Sequence, residues 1–416
     1  MYDVVVIGAG ASGLLAAGRA AELGARVLVV EKNDRPGRKL LITGKGRCNI
    51  TNNAPYREFI NHIYPNGRLL KHAFGHFFHE DMIELLSTQG VRCILERGGR
   101  YFPSSEKSSD VLQALTNWLD RSNTDFCYES RATKLMISDG KCNGLIIQQK
   151  SEAKKIMTAN VIIATGGKSY PATGSTGDGY HLAAMAGHSI VPVRPALVPL
   201  ETSGTMAQRL QGLSLKNVRA SVWKNGKKLG DEFGEMLFTH FGLSGPIILS
   251  ISRMVVDGLA ESASMGISID LKPALDEKQL DRRLLRDIND QGKKKMSNLF
   301  KEWLPSAMIP VFLSENAIDQ DKEGHQLTAA ERRKIAHMMK NMWFTITGHR
   351  SYKEAVITAG GISTKEINLQ TMESRLIKNL YMAGEVIDLD ADTGGYNLQI
   401  AWSTGWLAGQ SAATNT

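Results

Sequence analysis

Three glycines near the start of the chain have the spacing of a phosphate-binding loop. Gly8, Gly10 and Gly13 form a GxGxxG pattern directly after an apolar run. In dinucleotide-binding proteins the first glycine permits a tight turn, the second lets the backbone approach a pyrophosphate, and the third lets a helix pack on a strand. The helix that follows would offer free N–H groups and a positive dipole to the phosphates. Ala11 and Ser12 complete this candidate loop.

An acidic residue stands 18 positions after the last of these glycines. Glu31 ends a second apolar run, where it is placed to accept hydrogen bonds from ribose hydroxyls. A carboxylate at this position disfavours a 2′-phosphate, so the pattern suits FAD or NAD better than NADP. Lys32 is included in the candidate site. The alternative is a glycine-rich turn that binds no ligand.

A second candidate loop combines glycines, cations and short amides between residues 37 and 52. This mixture suits a loop that wraps an anionic ligand. A solvated basic loop has the same composition, and the residues do not decide between the two. The candidates are Gly37, Lys39, Thr43, Gly44, Gly46, Arg47 and Asn49.

Two further glycine-rich segments each follow an apolar run. Thr165, Gly166 and Gly167 imply backbone contact with a ligand or with another segment of the chain. Near the C-terminus a glycine–acid pair suits a second set of contacts with a dinucleotide. A helix beginning near Asn397 would direct its dipole at a flavin edge. The candidates there are Gly384, Glu385, Asp388, Gly395, Tyr396, Asn397 and Leu398.

Five side chains are candidates for the chemistry itself. Arg47 could stabilise an anionic flavin or a substrate carbonyl, or simply form a salt bridge. The Cys48 thiol lies beside this cation, which would lower its pKa, although a packing role is the favoured interpretation for a small buried cysteine. His240 could donate a proton, because histidine is the usual side chain for acid–base chemistry near neutral pH, although a lone histidine is usually structural. Tyr170 and Tyr396 could supply a phenolic acid or pack as ordinary rings.

These motifs need a sheet to position them. Residues 2–7 and 26–30 predict buried strands around a helix at 14–24, a βαβ unit of about 30 residues. The stretch 31–53 has no clear periodicity and is interpreted as a long functional loop. Further strands are predicted at 131–137, 144–149, 156–164, 215–223, 227–230, 355–361 and 380–383, and helices at 67–75, 79–89, 108–121, 276–291, 328–342 and 398–412.

The order of these elements predicts an α/β fold with one doubly wound domain and an insertion. The first domain combines residues 1–193 with 353–416, and residues 194–352 form the inserted domain. Asn225-Gly226 between two strand-like runs predicts a hairpin within the insert. The carboxyl ends of the strands before Gly8, Thr165 and Ala383 should meet at one edge of the sheet, where ligands bind in such folds.

Composition places the chain among ordinary globular proteins. Its 416 residues are 42% apolar and 22% charged, which excludes a disordered chain, a collagen-like fibre and a disulfide scaffold. The net charge of +8 modestly favours anionic partners. The 4 cysteines show no CxxC pair or metal-like cluster, so we predict no metal site and a reducing compartment. We find neither a secretory signal nor a membrane span and therefore expect the cytoplasm.

Together the motifs resemble the bacterial BaiN/YhiN-type family of FAD-dependent oxidoreductases, and the resemblance covers essentially the whole chain. It implies an FAD domain of the glutathione-reductase/succinate-dehydrogenase kind and an insert with a small β-barrel and helices. It also implies NAD(P)H as the reductant, while the fingerprint with Glu31 and the Gly384–Glu385 pair predict that FAD is bound non-covalently. The matching signatures are GKGRCNITN (44–52), ATGGKSYPATGSTGDGY (164–180), GEMLFTHFGLSGPIILSIS (234–252), TAGGI (358–362) and AGEVIDLDADTGGYNLQIAWSTGWLAG (383–409).

The resemblance also implies roles for the candidate residues. The glycine loop and Glu31 would hold the adenosine-pyrophosphate half of FAD. Lys39 and the loop 43–49 would lie along the ribityl and flavin part, and the C-terminal candidates from Glu385 to Leu398 would hold its ribityl and pyrimidine side. Lys45 departs from the family, in which a small residue is common. One branch of the family reduces C=C bonds conjugated to a ketone in steroid-like substrates.

The leading expectation is an enzyme that passes hydride from NAD(P)H through flavin N5 to an electron-poor bond of a small molecule. Only one complete GxGxxG is present, so a nicotinamide would have to bind transiently. We expect the insert to form the substrate wall, with residues 238–246 facing the flavin. The alternatives are an RNA-modifying flavoprotein and a flavin redox sensor without turnover. Nucleic acid is disfavoured because aromatic and basic residues do not interleave as on an RNA platform.

Overall fold

The computed structural model describes residues 1–415, which divide into two compact units. One unit combines the chain up to Pro195 with the chain from Ala355, and the other spans Ala196–Glu354. The helices are α1 (Ala11–Glu22), α2 (Arg38–Ile42), α3 (Tyr56–Phe59), α4 (Lys71–His76), α5 (His79–Thr88), α6 (Ser108–Asp120), α7 (Asp178–Met185), α8 (Met206–Arg209), α9 (Pro246–Ala260), α10 (Glu277–Gln291), α11 (Met296–Trp303), α12 (Ile309–Glu315), α13 (Ala329–Lys340) and α14 (Tyr396–Thr414).

The strands alternate with these helices in the first unit and dominate the start of the second. They are β1 (Tyr2–Ile7), β2 (Val27–Val30), β3 (Thr51–Asn52), β4 (Ile63–Tyr64), β5 (Cys93–Glu96), β6 (Arg100–Pro103), β7 (Thr124–Cys127), β8 (Ser130–Ser138), β9 (Lys141–Gln149), β10 (Glu152–Ile163), β11 (Ile190–Ala196), β12 (Leu200–Thr202), β13 (Ser214–Lys224), β14 (Lys227–Phe238), β15 (Gly242–Ser244), β16 (Met265–Asp270), β17 (Met342–His349), β18 (Ile357–Ile362), β19 (Ile367–Asn368), β20 (Glu373–Ser374), β21 (Leu380–Met382) and β22 (Asp390–Ala391).

A parallel sheet forms the centre of the first unit. Its strands run in the order β21-β10-β1-β2-β7, and every neighbouring pair is parallel. All four residues of β2 are buried, as are the last four of β1, because helices cover both faces of such a sheet. β20 and β19 extend one edge in antiparallel fashion. The Rossmann-like α/β prediction for this unit is therefore confirmed.

Several predicted elements shift at their ends. α1 begins at Ala11 instead of residue 14, because Gly10 is already its N-cap and the turn after β1 needs few residues. The stretch 31–53 contains the short helix α2, so it is not a continuous loop. Strand β7 was missed, since four residues of mixed polarity at the edge of the sheet carry no clear period-2 signal.

Two glycines bring α14 into close contact with α1. A Cβ atom built at Gly405 would lie 2.3 Å from the backbone oxygen of Ser12. One built at Gly409 would lie 2.2 Å from the backbone oxygen of Ala16. Real Cβ atoms do not approach backbone this closely, so only glycine allows the two helices to meet here. The closing helix is thereby held against the helix that follows the first glycine loop.

We expect Gly409→Ala to lower the free energy of unfolding by about 1–2 kcal/mol, the lower part of the range for overpacked cores. The methyl group would have to push α14 away from α1, because the backbone of Ala16 cannot rotate aside. Chemical denaturation followed by circular dichroism measures the change. Gly75→Ala is the matched control: Gly75 lies in α4 with open space around it, so this variant should be up to about 1 kcal/mol more stable. Equal stability of the two variants would contradict the close-packing argument.

The second unit is built on a closed barrel. Its strands follow the order β12-β15-β14-β13-β16-β17, and helices α8 to α13 complete the unit around its own apolar core. The predicted hairpin is confirmed, with Asn225 and Gly226 both at positive φ between β13 and β14. β14 continues to Phe238, beyond the predicted end at residue 230. The expected small barrel with helices is therefore present. Nowhere in residues 1–415 does a helix reach the length and apolar character needed to cross a membrane.

Candidate functional site

The candidate residues of the first unit meet at the carboxyl edge of its parallel sheet. Gly8 follows β1, Glu31 follows β2, Thr165 lies two residues after β10, and Gly384 lies two residues after β21. Because these strands are parallel neighbours, the segments that follow them lie side by side. The structure therefore brings together four segments that are far apart in the sequence.

The three glycines of the first loop have three different surroundings. Gly8 has φ +105°, and its Cβ would lie 2.6 Å from the backbone oxygen of Ala164, so it permits a tight turn. A Cβ at Gly13 would lie 1.9 Å from the backbone oxygen of Gly8, so it permits close helix packing. By contrast, apart from the chain neighbours of Gly10, no atom of the described residues lies within 4 Å of a Cβ built there.

The space at Gly10 faces the start of a helix. No side chain of residues 1–415 hydrogen-bonds to the N-terminus of α1, and its first turn contains no acidic residue. Free N–H groups and the helix dipole therefore remain available to an anion. Open space beside an uncapped helix N-terminus fits the pyrophosphate of a dinucleotide such as FAD.

Glu31 is fixed beside this loop by hydrogen bonds from the backbone. One carboxylate oxygen accepts from the backbone N–H of Ala9 at 2.8 Å, and the other accepts from the backbone and side chain of Asn33 at 2.8 and 2.7 Å. The residue is only 8% exposed. A carboxylate has about four acceptor sites, so capacity remains for ribose hydroxyls. Lys32, in contrast, is held by Asp178 at 2.9 Å and belongs to an ion-pair network with α7.

A hydrogen-bond network joins Lys39 to the glycine-rich segments that follow β10 and β21. The ammonium group of Lys39 lies 2.6 Å from one carboxylate oxygen of Glu385. The other oxygen of Glu385 accepts from the backbone N–H of Thr358 at 2.8 Å. The Thr358 hydroxyl oxygen in turn accepts from the backbone N–H groups of Lys168 and Ser169 at 2.8 and 3.1 Å. The loop 166–169 is thus positioned from the C-terminal half of the chain.

Thr358 is the functional candidate that the residue-by-residue reasoning missed. It lies in β18 and connects Glu385 with the loop after β10. A Cβ at Gly167 would lie 2.5 Å from its hydroxyl oxygen, which accounts for a glycine there. The only signal for it in the sequence is its place in the TAGGI signature at residues 358–362.

The second loop has an unusual backbone and contacts the start of α14. Gly44, Lys45, Gly46 and Cys48 all have φ between 57° and 86°. Lys45 is therefore a non-glycine residue in the left-handed region, which favours glycine. Asn49 accepts from the backbone N–H of Gly395 at 3.0 Å in the amide orientation that satisfies both of its groups.

Other candidates of this loop serve its own geometry. Gly37 is the left-handed N-cap of α2, and its backbone N–H donates to Ala9 at 2.8 Å. The Thr43 hydroxyl donates to the backbone oxygen of Leu40 at 2.6 Å. Open space surrounds Gly46 within the part of the chain that the structure describes. Gly46, like Gly10, is therefore a position where a ligand can approach the backbone.

Arg47 forms ion pairs with other residues of the protein, and Cys48 is buried. The Arg47 guanidinium forms ion pairs with Glu96 and with Glu106, the latter at 2.9 Å, and lies 4.1 Å above the ring of Phe102. This geometry favours the salt-bridge interpretation of Arg47. Cys48 is fully buried, and burial raises the pKa of its thiol to about 12. The thiol is therefore protonated at neutral pH, which favours the packing role over a redox thiolate.

The first turn of α14 is shaped by aromatic stacking and an amide. Tyr396 is buried and stacks on the ring of His62, with 4.3 Å between the ring centroids. Burial raises the pKa of its phenol to about 12, so it is a weak acid at neutral pH. The side chain of Asn397 accepts from the backbone N–H of Ala391 at 2.8 Å and donates to its oxygen at 2.7 Å. The side chains of both residues thus order the loop before the helix.

The remaining candidates lie on the same segments or in the other unit. Ser12 donates to the backbone oxygen of Ala383 at 3.4 Å, which links α1 to Gly384. Asp388 and Leu398 are half-buried on either side of β22. His240 lies in the turn between β14 and β15 of the second unit, where it is exposed and contacts the ring of Phe241 edge-on at 5.0 Å.

Comparison with known proteins identifies similar chains along the full length. The family model described as "HI0933-like protein Rossmann domain" matches residues 2–411. A 3-dehydro-bile acid delta(4,6)-reductase of Clostridium scindens is 31% identical over 415 residues, covering 99% of each chain. A ribosomal RNA dihydrouridine synthase of Escherichia coli is 29% identical over 410 residues, covering 98% of this chain and 97% of the relative.

A solved structure shows the same fold at lower identity. A quinol-fumarate reductase matches with a TM-score of 0.52 and 16% identity, and the match covers 100% of this chain and 71% of that one. At this identity the likeness concerns the fold alone. The open space at Gly10, the fixed carboxylate of Glu31 and the Lys39–Glu385 pair support a site that holds FAD.

Proposed function

This chain belongs to the HI0933-like family, and we propose that it reduces a carbon–carbon double bond conjugated to a carbonyl group, using NAD(P)H as reductant. The protein is an FAD-dependent oxidoreductase, in which the bound flavin supplies the hydride chemistry while the protein supplies binding, orientation and electrostatics. The enone-type substrate and the nicotinamide are the parts that we propose.

One observation carries the proposal: a bile acid reductase that is 31% identical over 99% of both chains. Its name describes reduction at the 4 and 6 double bonds of a 3-oxo compound, in which these bonds are conjugated to the carbonyl. Such a bond is electron-poor at the carbon remote from the carbonyl, so it accepts hydride there. The enzyme must then stabilise negative charge on the carbonyl oxygen and supply a proton.

The residues of the first unit would bind the cofactor. Glu31 would accept hydrogen bonds from the ribose of the adenosine half, and the N-terminus of α1 beside Gly10 would receive the pyrophosphate. The Lys39–Glu385 pair would lie along the ribityl chain, where its charges can bind hydroxyl groups. The N-terminus of α14 would direct its positive dipole at the pyrimidine edge.

The second unit would supply the substrate side. We propose that residues 194–352 exclude water from the reacting atoms and that the His240 imidazole donates a proton to the substrate carbon next to the carbonyl. His240 is exposed in the second unit, where its ring contacts Phe241 and forms no ion pair with another residue of 1–415. Its side chain is therefore able to meet a substrate.

The decisive experiment separates the two half-reactions. The purified yellow protein is reduced anaerobically with NADH or NADPH while flavin absorbance is followed, and the reduced protein is then mixed with a 3-oxo-4-ene steroid, a simple cyclic enone or a quinone. We expect rapid bleaching by a nicotinamide and recovery of the oxidised spectrum with the conjugated enones. Failure of both nicotinamides to reduce the flavin would overturn the choice of reductant. Recovery with the quinone alone would overturn the substrate class.

We expect His240→Ala to slow reoxidation by the enone by at least about tenfold while leaving reduction by the nicotinamide unchanged. The loss is smaller than for a fully enclosed acid because water can partly replace an exposed one. Stopped-flow absorbance measures both steps. His325→Ala removes another exposed histidine of the same unit and should behave as wild type. Unchanged reoxidation in the His240 variant would exclude this imidazole as the proton donor.

A second candidate function is reduction of a uracil base in RNA. Ribosomal RNA dihydrouridine synthases of Escherichia coli and Haemophilus influenzae are both 29% identical over 410 residues. The 5,6 double bond of uracil is also conjugated to a carbonyl, so the chemistry is shared and only the substrate differs. These two relatives support a nucleic-acid partner, although the sequence pattern alone disfavours one.

The same half-reaction assay distinguishes the two substrates. Reduced protein is mixed with ribosomal RNA or with the free nucleoside uridine, and dihydrouridine is measured by mass spectrometry. Reoxidation by RNA but by neither uridine nor steroid would favour the RNA substrate. RNA affinity should then fall steeply with salt, because phosphate contacts release counterions. Reoxidation by steroid with no dihydrouridine formed would favour the small molecule.

A further inference from the structure

Two histidines of the first unit face each other on the surface of α4. His72 and His76 are four residues apart, so they lie on the same side of the helix. Their Nε2 atoms are 3.1 Å apart, and the ring centroids are separated by 4.5 Å. Both side chains are exposed. Neither residue belongs to the loops that form the candidate FAD site.

The distance between the two nitrogens matches the separation of two imidazole nitrogens that bind one metal ion. Imidazole nitrogens bind Zn²⁺ at 2.0–2.1 Å, which places two ligands about 3.3 Å apart at a tetrahedral angle and about 2.9 Å apart at a right angle. The observed 3.1 Å lies between these values. The pair would therefore need little rearrangement to bind one ion. We propose that His72 and His76 form a two-nitrogen site for a transition-metal dication of the Zn²⁺, Cu²⁺ or Ni²⁺ class.

The surroundings leave room for the rest of a coordination shell. The pair lines a surface depression of about 480 Å³ together with Leu69, Lys71, Gly75, Leu369 and Gln370. Gly75 lies between the two histidines on the helix, and within the described chain no atom lies within 4 Å of a Cβ built there. Gln370 is the one lining residue whose side chain carries a neutral oxygen acceptor. Water would complete the shell.

The ligand type determines which ions fit. Imidazole suits Zn²⁺, Cu²⁺ and Ni²⁺, whereas Mg²⁺ and Ca²⁺ prefer the oxygen ligands that are scarce in this depression. No group of three or more His, Cys, Asp or Glu side chains in residues 1–415 is arranged to hold a metal. The site is therefore an open, two-ligand one and differs from a closed structural zinc centre. The competing interpretation is a hydrogen bond between the rings, with one nitrogen protonated.

Binding to the full-length, FAD-containing protein tests the proposal directly. Zn²⁺ is titrated by calorimetry, and Cu²⁺ is added for electron paramagnetic resonance, which counts the nitrogen ligands. We expect saturable binding of one ion per chain with two imidazole nitrogens. His72→Ala and His76→Ala should each weaken binding by more than about tenfold, at least the loss caused by removing an outer-shell partner. In each variant the Cu²⁺ spectrum should show one nitrogen fewer.

The control removes a histidine outside the site. His325 is exposed in the second unit, and its Nδ1 atom lies 3.3 Å from a carboxylate oxygen of Glu323. These two side chains are another pair that could bind a metal ion weakly. His325→Ala should bind Zn²⁺ as the wild type does. Because His72 and His76 are exposed, their alanine variants should retain the wild-type circular dichroism spectrum. Equal Zn²⁺ affinity of the wild type and both of these variants, or no saturable binding by the wild type, would overturn the proposal.

Discussion

Replacing Gly10 with valine is expected to abolish retention of FAD while the apoprotein stays folded. A valine side chain would occupy the open space beside the N-terminus of α1, where the pyrophosphate is expected to approach the backbone. The backbone itself tolerates the change, since Gly10 has φ −83° and, apart from its own chain neighbours, no atom of the described chain lies within 4 Å of its Cβ position. We expect FAD affinity to fall more than about 1000-fold, or about 4 kcal/mol.

Fluorescence titration of apoprotein with FAD measures the affinity, and thermal unfolding of the apoprotein measures the fold. Gly75→Ala is again the control, because Gly75 also has open space and an ordinary backbone but lies on α4, away from the loop. It should bind FAD as wild type. A Gly10→Val protein that purifies yellow with normal affinity would show that no phosphate approaches this position.

Replacing Glu31 with alanine is expected to weaken FAD binding about 10- to 150-fold. A hydrogen bond to a charged group contributes about 1.5–3 kcal/mol, which is the loss expected when ribose hydroxyls lose this acceptor. The change also frees the backbone N–H groups of Ala9 and Asn33, so some loss of apoprotein stability should accompany it. Both quantities are measured on the same preparation.

Two further variants separate the charge from the fold. Glu31→Gln keeps an oxygen acceptor for one of the backbone N–H groups and should fall between wild type and alanine in FAD affinity. Glu152→Ala removes an exposed carboxylate at the start of β10 and should leave affinity unchanged. An alanine variant of Glu31 that is folded and binds FAD normally would show that its carboxylate does not contact the ribose.

The fold was largely predictable because its signals are local. The apolar runs of β1 and β2, the glycine spacing between them and the Asn225-Gly226 turn each act within a few residues. Parallel pairing then forces the segments after these strands to one edge of the sheet. Strand β7 could not be predicted because its own residues carry no strand pattern. It is a strand only because it pairs with β2.

The site was less predictable because its contacts span hundreds of residues. Lys39 meets Glu385 across 346 positions, and Thr358 reaches Ser169 across 189. No spacing rule contains such information. The same holds for Arg47, since nothing near it in the sequence indicates that Glu96 and Glu106 will pair with it. Burial likewise decides the pKa of Cys48, and burial depends on the whole fold.

The glycine-mediated contact of α14 with α1 has a consequence for biosynthesis. The first unit needs β21 beside β10 and α14 against α1, yet both are made only after the whole barrel unit has been synthesised. At about 5–20 residues per second, residues 355–416 take about 3–12 s to translate. During that interval the apolar faces of β10 and α1 lack their partners, so the nascent chain is a natural client for chaperones that shield exposed apolar surface. FAD can be captured in full only after this delay.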